Sequence, residues 1–297
     1  MSNCALSVVL RQSDGRIEAR VIRTNGLSVD PLVLGRPVEE AARLLGRVFS
    51  LCRHAQSSAL TLAIDGQAAD VPGLASEIRL DHLAQLFVHL PPLVGLAPQP
   101  LPTDQVAQAL YGACGHCPAP GELMDWLAGE HGRAPVLRGI ADAFAPGEAE
   151  PGLPLIRHGA APQPGQALNV AACRVAGHPV MQVVADRFGL GPLWQAMGLL
   201  VELSELDRPG HLRPLRPRPG VALVPAARGT YLLEAQAAEG LLTQLSRLSP
   251  TDDLTVANGA LERALAALPA HKAHLAPLVI ACLNPCEHVV VREECDA

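Results

Sequence analysis

Apolar and β-branched residues concentrate in two short segments near the N-terminus. These segments cover 5–12 and 16–23, and a Ser-Asp-Gly sequence at 13–15 separates them. Two such runs joined by a short turn predict a β-hairpin. A Gly-Arg-Pro sequence at 35–37 then precedes VEEAARLLGRVF, and proline suits the first turn of a helix. The pattern therefore predicts a hairpin followed by a helix.

Apolar spacing close to the helical period recurs through the rest of the chain. Ala and Leu, which favour helix, supply most of these apolar positions. Helices are predicted over 52–64, 74–91, 103–113, 120–129, 136–145, 177–206, 236–247 and 257–268. A Pro-Pro pair at 91–92 is expected to end the second of them. The patterning thus predicts a helix-rich fold.

Four further segments depart from the helical pattern. Residues 145–167 hold several Pro and Gly with little apolar periodicity, which predicts a long loop or linker. Residues 208–220 are proline-rich and basic, which predicts an extended or turn-rich connector. Residues 220–236 predict a second hairpin that turns near Arg228, and 276–291 are again apolar and β-branched.

These elements together predict a mainly α (α+β) fold. It has small β elements at both ends and forms a single domain over 1–297. Hydrophobic residues make up 49% of the chain and aromatics only 3%, so the core must consist mainly of Ala, Leu and Val.

Charge and hydropathy narrow the function classes. The net charge of −6, without a long basic run, argues against binding to nucleic acid or to an anionic membrane surface. No apolar stretch reaches the roughly 20 residues that span a bilayer. The N-terminal sequence MSNCALSVVLRQ lacks the pattern of a signal peptide, and eight scattered cysteines suit a reducing compartment. We therefore expect a cytoplasmic protein with reduced thiols.

Two cysteines stand in distinctive sequences at opposite ends of the chain. Cys52 lies in RVFSLCRHAQ, and Cys286 lies in ACLNPCEHVV. Folding can bring the two ends together, and two thiolates that converge from distant segments suit a soft or borderline metal such as iron. His288 follows Cys286 by two residues, and its imidazole is a further candidate ligand or partner of the thiolate.

The first sequence resembles the N-terminal cysteine box of the [NiFe]-hydrogenase large subunit. That box has the form R-x-C-x-x-C-x-x-x-H and follows a small hairpin, a Gly-Arg pair and a helix. Arg47 and Cys52 match its arginine and second cysteine. Phe49 and Gln56 stand in place of its first cysteine and its histidine.

The second sequence resembles the C-terminal box of the same family, D-P-C-x-x-C-x-x-H. Cys286 matches its first cysteine, and Asn284 stands in place of its aspartate. Val289 and Arg292 replace its second cysteine and its histidine. The resemblance covers roughly the first 65 and the last 80 residues, and the middle of the chain is much shorter than in the enzymes. Two of the four metal-holding cysteines are thus replaced by apolar side chains, which cannot ligate nickel and are expected to fill its place.

Features that resemble the iron side of the family's site are retained. The resemblance implies that Arg228, in an A-A-R-G sequence, and Pro250 with Thr251 line a pocket for cyanide and carbon monoxide ligands. Cyanide nitrogens are strong acceptors and need donors in a partly dry cavity. The resemblance also implies Cys52 and Cys286 as metal ligands, with Cys282 as an alternative to Cys286.

This combination resembles the HupK/HoxV group of hydrogenase accessory proteins, which look like shortened large subunits. The resemblance implies a non-catalytic scaffold that transiently holds iron as Fe(CN)2(CO) and delivers it to the large subunit. Its expected partners are the maturation proteins that build the iron unit and the hydrogenase large-subunit precursor. An alternative in another class is a metal-free interaction protein that protects a maturation factor.

A third interpretation comes from the C-x-x-C formed by Cys114 and Cys117. A redox dithiol needs a thiol of lowered pKa, usually at a helix N-terminus. No thioredoxin-like pattern surrounds this pair. A structural zinc ion needs four ligands, and a second C-x-x-C is absent from the sequence. His116 and Cys173 are the nearest candidates for further ligands.

Overall fold

The structure, a computed structural model, describes residues 6–13, 15–23 and 28–294. Helical residues outnumber strand residues in this part of the chain, in line with the mainly α (α+β) prediction. The helices are α1 (Asp30–Val33), α2 (Val38–Val48), α3 (Arg53–Asp65), α4 (Val71–Ala84), α5 (Leu90–Leu93), α6 (Val106–Tyr111), α7 (Leu123–Ala128), α8 (Ala134–Ala143), α9 (Pro179–Phe188), α10 (Pro192–Glu205), α11 (Pro250–Leu254), α12 (Ala260–Ala266) and α13 (Ala276–Leu283). The strands are β1 (Leu6–Ser13), β2 (Arg16–Arg23), β3 (Leu215–Arg218), β4 (Val221–Ala226), β5 (Gly229–Ala238), β6 (Leu241–Leu248) and β7 (Val289–Glu294).

The first sheet joins the two ends of the chain. Its strand order is β2-β1-β7, with β1 and β2 antiparallel and β1 and β7 parallel. Val8 of β1 lies opposite Val21 of β2 on one side and Val291 of β7 on the other. The predicted N-terminal hairpin is confirmed, although Asp14 of its predicted turn lies outside the described residues.

The second sheet is an antiparallel meander in the order β3-β4-β5-β6. The predicted hairpin at 220–236 is confirmed as β4 and β5. The helix predicted over 236–247 is wrong, because this segment completes β5, turns and continues as β6. Glu239 and Gly240 have positive φ angles of 51° and 77°, which make a tight turn between two strands. The β structure is therefore not confined to the ends of the chain.

The helix predictions differ from the structure mainly in where the helices end. α2 begins after Pro37 and α3 lies within one residue of its predicted bounds. The segment predicted at 74–91 is α4, one π-helical turn (Gln85–His89) and α5, which continues through the Pro-Pro pair to Leu93. The prolines occupy the first turn of α5, where a backbone N–H is not needed. Residues 145–167 contain no helix or strand in the structure, as predicted.

Two clusters of buried apolar side chains form the core. The larger contains side chains from β1, α10 and α13, and the smaller contains side chains from α2, α3 and β4. Leu203 of α10 packs against both clusters and so joins them. None of the described helices is long and apolar enough to cross a membrane. A single domain over 1–297 stays a prediction.

Replacing Val8 with alanine should lower the free energy of unfolding by about 2 kcal/mol, because its side chain is completely buried in the sheet that joins the chain ends. The matched control is Val9→Ala, since Val9 is only partly buried on the opposite face. The Val9→Ala variant should lose less free energy of unfolding than the Val8→Ala variant. Urea denaturation followed by circular dichroism measures both, and equal losses would contradict the packing described for β1.

Candidate metal-binding site

Four separate segments meet around one small cavity. Cys52 ends a short 3-10 helix before α3, and Arg228 lies in the turn between β4 and β5. Pro250 and Thr251 begin α11, and Cys286 lies between α13 and β7. All five residues line the same cavity, whose volume is about 30 Å³. The structure thus brings together the two cysteines, the arginine and the Pro-Thr pair that the sequence predicts as the main site residues.

Gln56 fixes the position of the Cys52 thiol. It occupies the place of the family's histidine, is 2% exposed, and its Nε2 lies 3.6 Å from the Cys52 Sγ. Its Oε1 accepts a hydrogen bond of 2.6 Å from the Tyr231 hydroxyl. Burial raises the pKa of Cys52 to about 11, although the donated hydrogen bond from Gln56 partly offsets this effect. The thiol is therefore protonated at neutral pH.

A second ionisable group near Cys52 has an unusual pKa. Burial raises the pKa of Glu77 to about 7, even though its carboxylate accepts a 2.8 Å hydrogen bond from the His54 backbone N–H. The charge of Glu77 in turn contributes to the raised pKa of Cys52. A carboxylate that titrates near neutral pH can take up a proton released by the thiol.

Thr251 orients the segment that carries Cys286. Its Oγ1 accepts a 2.8 Å hydrogen bond from the backbone N–H of Cys286, and the residue is 1% exposed. Because the hydroxyl accepts in this bond, its own proton remains available to a ligand. Ser249 caps α11 by accepting a hydrogen bond from the Asp252 backbone N–H, which fixes the start of this helix.

Two residues hold Arg228 in place: Asp81, which the sequence reasoning missed, and Asn284, which it named only as part of the C-terminal box. The Arg228 Nη2 donates to Asp81 Oδ1 over 2.8 Å, and its Nε donates to Asn284 Oδ1 over 3.1 Å. The Asn284 Nδ2 closes the ring by donating to Asp81 Oδ2 over 2.9 Å. Among the described residues, no acceptor bonds the Nη1 of Arg228. This group lies on a side chain that lines the cavity, so it can donate to a bound ligand.

A buried chain of charged groups continues behind Arg228. Burial by itself would raise the pKa of Asp81, but the nearby imidazole of His82 and the guanidinium of Arg228 lower it below its usual value. His82 is completely buried, and its Nε2 lies 2.8 Å from an oxygen of Glu202. Glu202 is also completely buried and pairs with Arg174 over 2.5 Å. No sequence signal connected these residues, because only the fold makes them neighbours.

The other candidates for this site lie elsewhere. Cys282 is buried on α13 outside the cavity that Cys52 lines, and His288 is exposed. Phe49 packs beneath the Arg247 guanidinium, 4.4 Å from the ring centre, and Val289 pairs with Leu6 in the first sheet. Neither apolar replacement is among the residues that line the cavity, and the expectation that they fill the place of nickel stays a prediction.

The geometry gives no support to a redox or zinc function for Cys114 and Cys117. Burial raises the pKa of Cys117 to about 12, and Cys114 donates a weak hydrogen bond to the Tyr111 carbonyl at 3.4 Å. No helix begins at Cys117, so no helix N-terminus lowers its pKa. Within the described residues, no three His, Cys, Asp or Glu side chains are grouped closely enough to hold a metal ion.

Replacing Arg228 with methionine should lower the free energy of unfolding by about 3–5 kcal/mol, because it leaves the Asp81 charge buried without its partner. Arg218→Met is the matched control. Arg218 pairs with Glu234 at the surface, where an ion pair contributes roughly 0–1 kcal/mol. Urea titration of both variants measures the difference. A loss for the Arg228 variant no larger than for the control would show that the ring of hydrogen bonds contributes little.

Comparison with known proteins agrees with this geometry. No family model matches the chain. It is similar to a [NiFeSe] hydrogenase from Desulfovibrio vulgaris Hildenborough, with a TM-score of 0.57 and 13% identity over 93% of this chain and 94% of that one. It is also similar to an NAD+-reducing [NiFe]-hydrogenase, with a TM-score of 0.53 and 14% identity over 92% of this chain and 93% of that one. The likeness in fold therefore extends through the middle of the chain, where the sequence resemblance was poor.

A relative in sequence identifies the family. The chain is 43% identical to the hydrogenase expression/formation protein HupK of Rhodobacter capsulatus, over 98% of each chain. This similarity spans both cysteine segments and the turn that carries Arg228. The protein therefore belongs to the HupK family of hydrogenase expression/formation proteins, whose fold is that of the [NiFe]-hydrogenase large subunit.

Proposed function

We propose that this chain is a non-catalytic scaffold in hydrogenase maturation. It holds an Fe(CN)2(CO) unit transiently between the thiolates of Cys52 and Cys286 and delivers it to the large-subunit precursor. The observation that carries the proposal is the shared cavity, in which thiols from the two ends of the chain lie beside a guanidinium. The maturation proteins that build the iron unit are the expected donors of this cargo, and the reducing cytoplasm is the expected place.

The number of protein ligands supports a cargo site. Two thiols line the cavity, and no larger group of His, Cys, Asp or Glu exists among the described residues. A bare metal ion in a closed protein site takes about four protein ligands. An iron unit that arrives with three diatomic ligands needs fewer, so a two-thiol site suits it. The same shortage argues against a nickel–iron catalytic centre.

The donors around the cavity suit cyanide. The Arg228 Nη1 and the Thr251 hydroxyl proton are free to donate among the described residues. Cyanide nitrogens accept hydrogen bonds strongly, and such bonds are strengthened by the charge of a guanidinium. The ring formed by Arg228, Asp81 and Asn284 holds the guanidinium donor in place before cargo arrives.

The raised thiol pKa suits a site that must also release its cargo. Metal ligation requires thiolates, so loading drives a proton from Cys52. Glu77, whose charge acts on this thiol and whose pKa is about 7, is the acceptor we propose for it. Return of the proton weakens the iron–sulfur bond and favours transfer. A thiol whose pKa was already low would hold the iron more firmly.

Alkylation of Cys52 by iodoacetamide should be slow and should rise about tenfold for each pH unit from 7 to 10. A pKa of about 11 leaves only roughly 1% of the thiol ionised at pH 9. Quantitative mass spectrometry of the Cys52 peptide measures the rate. Gln56→Met removes the hydrogen bond to the sulfur and should slow the reaction further. A plateau reached below pH 9 would contradict the raised pKa.

Cys52→Ala and Cys286→Ala should each abolish the cyanide and carbonyl infrared bands of protein purified anaerobically from cells that make the hydrogenase. Each should also abolish that hydrogenase's activity, because one thiolate cannot retain the iron unit. Cys114→Ala is the control, since Cys114 is exposed and remote from the cavity. Matching circular dichroism spectra would exclude misfolding.

Hydrogenase activity that persists in the Cys52→Ala strain would overturn the scaffold proposal. That result would favour the alternative of a metal-free protein that protects another maturation factor. Absence of the infrared bands from the wild-type protein, together with undiminished hydrogenase activity in both cysteine variants, would also overturn the scaffold proposal.

A further inference from the structure

A second cavity, larger than the first, lies on the far side of Glu202. Its volume is about 270 Å³, and it opens to solvent between the loop around residue 157, the 3-10 helix Ala171–Val175 and the segment 208–213. The basic side chains that line it are Arg157, His158, Arg174, Arg208, His211 and Arg213. No Asp or Glu is among the described residues that line this basic cleft.

Hydrogen bonds and ion pairs fix the side chains at the floor of the basic cleft. Glu202, which is completely buried, binds the Nε and Nη2 of Arg174 over 2.5 and 2.7 Å and the Nε2 of His211 over 3.1 Å. The Nη1 of Arg174 donates to the Gly229 carbonyl over 2.9 Å. The side chains of Arg174 and His211 are 11% and 3% exposed, so both are held firmly at the base of the cleft.

The arginines at the rim have unused donors. Among the described residues, the guanidinium of Arg157 has no partner. Arg213 uses only its Nε, towards the Gly210 carbonyl at 2.6 Å. Arg208 uses its Nε towards Glu205 at 2.7 Å. Three guanidinium groups therefore line one cavity, and among the described residues only that of Arg208 has a carboxylate partner. Planar guanidinium forks match the oxygens of phosphate and carboxylate.

The remaining walls narrow the class of ligand. Ile156, Leu215 and Leu223 give the basic cleft an apolar side, which suits an aliphatic portion of the ligand. No Phe, Trp or Tyr is among the described lining residues, so a base or other flat ring finds nothing on which to stack. The net charge of −6 also argues against a nucleic acid.

We propose that the basic cleft binds a small phosphorylated molecule with a short aliphatic part, its phosphoryl oxygens held by Arg157, Arg208 and Arg213. Arg174 and His211 form the floor on which the anion rests. This site is separate from the thiol cavity and does not depend on the function proposed for it.

Isothermal titration of the full chain with inorganic pyrophosphate and with hexyl phosphate tests the proposal. Binding of both is expected at moderate salt, with an affinity that falls as salt increases. The double variant Arg157→Gln/Arg213→Gln should bind at least about tenfold more weakly, because it removes two charge-assisted contacts. Arg218→Gln is the matched control, since Arg218 is exposed on β3 and does not line the cleft. It should leave the affinity unchanged.

Three results would overturn the proposal. One is the absence of binding for both phosphates. Another is an equal loss in the control and the double variant, which would show attraction to overall surface charge. The third is binding of a short glutamate-rich peptide that pyrophosphate does not displace, which would assign the basic cleft to an acidic protein partner. Melting curves of the variants verify that each one folds.

Discussion

The guanidinium of Arg228 holds together three parts of the chain that are far apart in sequence. It binds Asp81 of α4 and Asn284 after α13 from its own position in the β4–β5 turn. Asn284 adopts a left-handed conformation, with a φ of 51°, and so redirects the chain from the helix towards the cavity. Cys286 follows two residues later. The position of the second thiol therefore depends on this ring of hydrogen bonds together with the bond from the Cys286 N–H to Thr251.

Burying so many charges is unfavourable unless each one has a partner, and the fold supplies partners in alternation. Arg228 pairs with Asp81, His82 with Glu202, and Glu202 with Arg174. This series connects the thiol cavity to the basic cleft through the interior. Because the interior screens charge weakly, a change of charge in one cavity alters the field in the other.

Local features of the fold could be predicted from the sequence, and features set by distant contacts could not. The first hairpin, α2 and α3 follow from short-range patterns and were predicted correctly. Strand β6 was mistaken for a helix because Ala and Leu favour helix locally, while pairing with β5 decides the outcome. In the site, Cys52, Cys286 and Arg228 stand in recognisable sequences, whereas Asp81 and Glu202 have significance only through neighbours that the fold provides.

The parallel pairing of β1 with β7 determines when, during synthesis, the thiol cavity can form. Strand β1 leaves the ribosome long before its partner β7 and the neighbouring Cys286. At roughly 5–20 residues per second the delay is on the order of tens of seconds, during which one edge of β1 has no partner. A nascent chain therefore has one half of the cavity without the other. Because Cys52 and Cys286 line the same cavity, that cavity is complete only after synthesis has passed Cys286.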